Sequence, residues 1–112
     1  MIFGREAEGM PCYAAAVRLD PALAEVRNNY GVALMNAGRL PEAKEQLDAA
    51  VRLAPKLAAA HNNRGAVLDR LGEKEAARRS FQEALRLNPE FEGAQANLAT
   101  LDSPPNSLGA KL

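Results

Sequence analysis

The sequence predicts an all-α protein in which helix-turn-helix repeats stack as an α-solenoid. Three observations predict it: a segment ending in proline that returns every 34 residues, apolar side chains at helical spacing between these segments, and glycines midway between the prolines. Hydrophobic residues make up 47% and charged residues 25% of the 112 residues, which is typical of a chain that folds around a core. The length suits one small domain of a few repeats.

The repeat is defined by three equivalent segments with the sequences VRLDP, VRLAP and LRLNP, at 17–21, 51–55 and 85–89. Other positions match at the same interval, and Gly31 with Gly65 is one such pair. The predicted organisation is a partial N-terminal repeat (1–21), a first full repeat (22–55), a second full repeat (56–89), a C-terminal helix (90–102) and a flexible tail (103–112).

Each full repeat is predicted to hold two helices, called A and B. An A helix ends at Gly38 and at Gly72, because glycine adopts the left-handed conformation that closes a helix. Pro41 fits the first turn of a B helix, and the proline that ends each repeat cannot continue one. The predicted A helices are 22–37 and 57–71, the B helices 41–53 and 74–87, and the further helix 91–101.

Both ends of the predicted stack are incomplete. The partial repeat is expected to hold only the remnant of a B helix, at 11–19, and the tail after the last helix is expected to pack against nothing. Incomplete repeats leave apolar surface at the ends of a stack. This predicts, as an alternative function, a homo-oligomer that assembles through its terminal repeats or a fragment of a longer array.

With this period, its glycines, its small B-helix residues and its terminal prolines, the sequence resembles the tetratricopeptide repeat family over about residues 3–101. The resemblance implies a right-handed solenoid whose A helices line a concave groove, and a function as a protein-protein interaction scaffold. The sequence departs from the family at Arg27, His61 and Gln95, where tryptophan is usual, and at Arg64, where leucine is usual. Together these departures predict slack packing near the second repeat.

A row of asparagines is the main polar feature of the predicted A helices. Asn29, Asn63 and Asn97 stand at equal repeat positions, and Asn28 and Asn62 precede two of them. A primary amide both donates and accepts hydrogen bonds, so it can pair with the backbone of an extended peptide. With A helices about 10 Å apart and a rise of about 3.3 Å per peptide residue, one amide would meet every third residue. The row is similar to the asparagine-lined superhelix of O-linked N-acetylglucosamine transferases, although the amides could equally serve to bond neighbouring helices.

The groove is predicted to be mildly apolar and nearly uncharged, which favours a neutral extended segment or a helix as its ligand. Met35 could contact an apolar ligand side chain or belong to the core. The predicted partner-binding residues are Asn28, Asn29, Val32, Met35, Asn36, Asn62, Asn63, Ala66, Asp69, Arg70 and Asn97.

A carboxylate clamp of the kind found in chaperone-binding members of the family is not expected here. Such a clamp needs lysine, asparagine and arginine on successive A helices. The matching positions hold Asn28, Val32, Asn63, Gly93 and Asn97. Because the cations are missing, binding to the acidic tails of heat-shock chaperones is not predicted.

Composition argues against several other classes of function. Lysine and arginine number 14, as do aspartate and glutamate, and aromatic residues make up only 4%, so nucleic-acid binding is not predicted. Cys12 and His61 are single and far apart in sequence, which gives no catalytic constellation and no metal or cofactor site.

No signal peptide or membrane span is predicted, and a single cysteine favours a reducing, cytoplasmic location. The sequence therefore predicts a non-enzymatic module that binds a protein or peptide. A regulatory fragment of a larger enzyme remains a further alternative.

Overall fold

The computed structural model describes residues 15–19 and 22–102, and all regular structure within these ranges is helical. Residues 15–19 are helical and precede five further helices. These are α1 (Ala24–Asn36), α2 (Leu40–Leu53), α3 (Ala58–Arg70), α4 (Lys74–Leu87) and α5 (Glu92–Asp102). Their ends differ from the predicted ones by two residues at most. The A helices are α1, α3 and α5, and the B helices are α2 and α4. The all-α solenoid is confirmed, whereas Cys12 and the predicted tail lie outside the described residues.

The turns between A and B helices have the geometry that the glycines predict. Gly38 and Gly72 have φ values of 81° and 85°, in the left-handed region. The next residue then donates its N–H to a carbonyl five positions back, Arg39 to Leu34 at 2.8 Å and Glu73 to Leu68 at 2.8 Å. These bonds satisfy carbonyls at the helix end and turn the chain back, so that each B helix lies against its A helix.

A glycine opposite a large side chain lets the two helices of a repeat approach closely. A Cβ at Gly31 would lie 2.6 Å from Cγ of Leu47, and a Cβ at Gly65 would lie 2.6 Å from Cε1 of Phe81. Both distances are far below van der Waals contact. The repeated glycine is therefore a packing position, where the backbone of the A helix meets the side chain of the B helix.

The core consists of two clusters of buried side chains, each built from three consecutive helices. The first joins Leu34 of α1 and Leu47 of α2 to Val67 of α3. The second joins Phe81 of α4 to Leu101 of α5, and Leu68 of α3 completes it. Because each cluster needs the A helix of the following repeat, neither helix pair is buried by itself, and α5 closes the second cluster.

Arg64 does not leave the second repeat slackly packed, so that expectation is wrong. Its guanidinium Nε donates to Asp48 Oδ1 of α2 at 2.6 Å, and Nη1 donates to Ser80 Oγ of α4 at 3.0 Å. Asp48 also accepts a hydrogen bond from Lys44 at 3.1 Å. Burial alone would raise the pKa of Asp48, but the bonds from Arg64 and Lys44 outweigh it and hold that pKa below its ordinary value. A polar network therefore ties both B helices to α3 where leucine is usual.

The A helices form the inner side of the stack. Helix α3 contacts both α1 and α5, whereas α2 and α4 do not contact each other in the described part of the chain. Helices that touch on one side and separate on the other produce a curved stack, which is concave on the side that touches. The A helices, which carry the predicted groove residues, therefore line the concave side of the stack.

Candidate peptide-binding groove

The asparagines of the A helices bond to one another across the concave surface. Asn63 Nδ2 of α3 donates to Asn28 Oδ1 of α1 at 2.9 Å. One repeat further, Asn97 Nδ2 of α5 donates to Asn62 Oδ1 of α3 at 3.0 Å. The two amide pairs have the same polarity, because in each one the later helix donates and the earlier helix accepts.

These pairs differ from the row that equal repeat positions suggest. The bonded residues are 35 positions apart rather than 34, so each bond joins an asparagine at the repeat position of Asn29 to the first asparagine of the preceding A helix. Asn29, which begins the row, is exposed. The amides thus have a structural role between helices, as the second interpretation of the sequence allowed.

Each amide pair retains hydrogen-bonding capacity on the concave surface. The bond uses the carbonyl of Asn28 and one N–H of Asn63, which leaves the amide group of the first and the carbonyl of the second. No buried side-chain nitrogen or oxygen within the described ranges lacks a partner. The groups that the pairs leave unused are therefore not sealed in the core without a partner, although Asn28 is only 9% exposed.

The middle of the concave surface is less polar. Val32 of α1 and Ala66 of α3 are half-buried at equal repeat positions. Met35, by contrast, is only 7% exposed and packs in the first core cluster with Leu34. Met35 was predicted to line the groove, and this is wrong for its side chain because burial against the core removes it from the surface.

Charged and polar residues lie at the C-terminal ends of α1 and α3. Asn36 and Arg70 are exposed, and Arg70 Nη1 donates a long hydrogen bond of 3.4 Å to the main-chain oxygen of Met35. Asp69 Oδ1 accepts a hydrogen bond from Lys74 Nζ at 3.2 Å. The carboxylate of Asp69 is therefore balanced by a neighbouring lysine, whereas Arg70 keeps most of its donors available.

Two of the three polar residues at the family's tryptophan position, His61 and Gln95, brace the turns between repeats. His61 Nε2 lies 2.8 Å from the main-chain oxygen of Pro55, and Gln95 Nε2 donates to the oxygen of Pro89 at the same distance. This bond explains His61 as a structural residue. This contact with a proline carbonyl could not be recognised in the sequence, because two unlike side chains make it at the same repeat position.

The described residues present no cluster of three metal-ligating side chains. Within those ranges no helix is long and apolar enough to cross a membrane. What the described surface offers is a concave face with paired amides, small apolar side chains and a few charges.

Stacked A and B helices with such a concave face define a helical-repeat scaffold for protein interaction. A model of the tetratricopeptide repeat family matches residues 22–90, which is more than half of the chain. The chain therefore belongs to the tetratricopeptide repeat family. No curated protein matches its sequence.

Solved structures with a similar fold include tetratricopeptide domains with bound peptides. The second such domain of human RPAP3, in complex with the HSP70 peptide SGPTIEEVD, has a TM-score of 0.85 and 24% identity, over 90% of this chain and 84% of that one. At that identity the likeness concerns the fold. MamA has a TM-score of 0.82 and 26% identity, over 96% of this chain and 61% of that one. YrrB, a tetratricopeptide protein with an unusual peptide-binding site, has a TM-score of 0.78 and 26% identity, over 84% of this chain and 48% of that one.

Proposed function

We propose that the concave face of the A helices binds an extended peptide segment of a partner protein and that the paired asparagines contact its backbone. The observation that carries the proposal is the repeated amide pair, Asn63 with Asn28 and Asn97 with Asn62. Each pair leaves one donor group and one acceptor outside its own bond, and a peptide unit with one N–H and one C=O can pair with both. Such contacts are independent of side chains, so they suit a general peptide site.

The spacing of the pairs agrees with this mode of binding. Neighbouring A helices are related by one repeat, and helices in contact lie about 8–10 Å apart. An extended peptide covers that distance in about three residues. Side chains between two contacted peptide units would then lie over the small residues at Val32 and Ala66. Because Val32 and Ala66 are apolar and uncharged, they select the ligand only weakly. Small or aliphatic ligand side chains are favoured at these positions.

The relatives support peptide binding but not a shared ligand. RPAP3 holds an HSP70 peptide and YrrB has an unusual peptide-binding site. In this chain the clamp positions hold Asn28, Gly93 and Asn97 in place of cations, and two of the three are engaged in amide pairs. We therefore propose a ligand that is not anchored by a C-terminal carboxylate.

A random peptide library displayed on phage tests the proposal. Peptides selected on the wild-type protein are expected to lose most of their affinity for the double variant Asn63→Ala/Asn97→Ala. The matched control is Gln82→Ala, which removes an exposed amide from the outer helix α4. Circular dichroism of each variant checks that the helices remain. Selected peptides that bind all folded variants equally would contradict the proposal.

Self-association through the N-terminal end of the stack is the alternative, and two exposed side chains favour it. Leu19 is 88% exposed and Leu23 is 43% exposed. Light scattering at several concentrations distinguishes the two functions. A dimer that the variant Leu19→Gln/Leu23→Gln converts to a monomer would establish assembly, whereas a monomer at all concentrations would exclude it.

A further inference from the structure

Glu25 and Arg70 are two charged side chains of the A helices that have no ion-pair partner among the described residues. Glu25, in the first turn of α1, is exposed and forms no ion pair or side-chain hydrogen bond within those ranges. Arg70, in the last turn of α3, makes only the 3.4 Å bond to the oxygen of Met35. Another acid nearby, Asp69, is half-buried and is paired with Lys74. Glu25 and Arg70 are therefore an exposed acid and an exposed base without a charged partner in the described part of the chain.

The register of the repeat places Glu25 on the concave face, at the edge of α1 that lies away from α3. Gly93 occupies the same repeat position in α5, and a Cβ there would lie 3.7 Å from Nδ2 of Asn62. The position of Gly93 thus borders the first asparagine of the preceding A helix. Glu25 also precedes Asn28 by three residues and Asn29 by four, so helical spacing places all three on one face of α1.

Arg70 lies on the same face of the stack but at the opposite end of the A helices. It follows Ala66 by four residues and Asn63 by seven, which keeps it on the groove side of α3. Its contact with the main chain of Met35 shows that the guanidinium reaches back to α1. The acid and the base therefore lie at opposite ends of the concave surface that α1 and α3 form together.

The separation of the two backbone positions follows from helix geometry. Arg70 stands eleven residues further along its repeat than Glu25 does, and one repeat later. Eleven residues correspond to about 16 Å along the helix axis, and the neighbouring helix adds about 10 Å across it. The diagonal is about 19 Å, which an extended peptide spans in about six residues.

We propose that the groove selects an extended segment that carries one basic and one acidic side chain about six residues apart. The basic side chain lies at Glu25 and the acidic one at Arg70. The inference rests on the proposed peptide binding and adds a charge requirement to it. Such a ligand is neutral overall, as the near-neutral groove predicts, but its charges fix how it lies across the helices.

An array of twelve-residue peptides tests the inference. Two positions six apart carry Lys and Glu, Lys and Lys, Glu and Glu, or no charge, and the remaining positions are randomised among neutral residues. The wild type is expected to bind the Lys and Glu set about fivefold more tightly than either like-charged set. The same two charges placed two residues apart should give no such preference.

Single charge reversals should redirect that preference. Arg70→Glu leaves two acids in the groove and should favour the Lys and Lys set, whereas Glu25→Lys leaves two bases and should favour the Glu and Glu set. The controls are Arg79→Glu and Glu45→Lys, because they make the same changes of charge at exposed positions on the B helices.

The outcomes separate the inference from the function on which it rests. A preference that follows the groove reversals but not the control reversals supports the inference. Peptides that bind without regard to charge, yet depend on Asn63 and Asn97, overturn the inference and leave peptide binding intact. If no peptide in any set binds the wild type, both are overturned.

Discussion

The close approach of the two helices in a repeat leads to a prediction in which two known effects oppose each other. Alanine is a better helix former than glycine by about 1 kcal/mol, so Gly65→Ala would stabilise an isolated α3. In the folded protein the new Cβ would lie 2.6 Å and 2.7 Å from two ring carbons of Phe81. The ring would have to retreat by nearly 1 Å to restore ordinary contact.

The ring of Phe81 has nowhere to retreat. It is 1% exposed and packs with Leu68 and Ala77 in the second core cluster. Overpacking of a dense core costs about 1–3 kcal/mol, which exceeds the gain in helix propensity. We therefore expect Gly65→Ala to lower the free energy of unfolding by about 1 kcal/mol, and the melting temperature by about 4–8 °C for a domain of this size.

Urea unfolding followed by circular dichroism at 222 nm measures this change. Gly93→Ala is the control, because Gly93 is exposed in α5 and its added Cβ would come no nearer than 3.3 Å, to the ring of Phe91. We expect that variant to be at least as stable as the wild type. If Gly65→Ala proved as stable as the control, the close approach of α3 to α4 would not govern the choice of glycine.

Three further predictions concern the polar network and the groove. Arg64→Ala should lower the free energy of unfolding by about 1–2 kcal/mol in urea titrations, because it removes two partly buried hydrogen bonds; an unchanged midpoint would contradict this. The pKa of Asp48 is lowered in the folded protein. The contribution of Asp48 to the free energy of unfolding is therefore complete above its unfolded pKa, about 3.9, and is lost as the pH falls through the folded pKa. As the pH falls below about 4, the free energy of unfolding of Asp48→Asn should accordingly decrease less than that of the wild type. Parallel curves of stability against pH for the two proteins would refute the lowered pKa of Asp48. In fluorescence anisotropy the wild type should not bind the peptide SGPTIEEVD, whereas Asn28→Lys/Gly93→Lys/Asn97→Arg should bind it measurably, and tight binding by the wild type would contradict the missing clamp.

The helices of this protein could be predicted because their limits depend on local chemistry. Gly38 and Gly72 adopt the left-handed conformation that ends a helix, and Pro55 and Pro89 follow the next ones. These preferences act within a few residues of the chain. The repeat strengthens the prediction of the helix ends, because each of these residues occurs again 34 residues later.

The contacts of the groove were harder to predict because they depend on how the helices are staggered. Sequence alone aligns Asn63 with Asn97, but the structure bonds Asn97 to Asn62, one residue out of that register. Similarly, helical spacing places Met35 near the boundary between the groove side and the core side of α1. Only the packed position of α3 determines that the side chain of Met35 is buried. Arg64 illustrates the same point, since its two partners belong to two different B helices.

The amide pairs serve the stack and the proposed ligand at once, which constrains how a peptide could bind. Breaking the bond between Asn63 and Asn28 would loosen α3 from α1, and the loss would be about 1 kcal/mol for a neutral hydrogen bond. A peptide that uses only the remaining amide group of Asn28 and carbonyl of Asn63 avoids that loss, because it adds to the pair without replacing it. Binding would then strengthen the contact between neighbouring A helices. A ligand of this kind should raise the melting temperature of the protein by more than it does in a variant whose pairs are removed, and an equal rise in both would show that the amides are not part of its site.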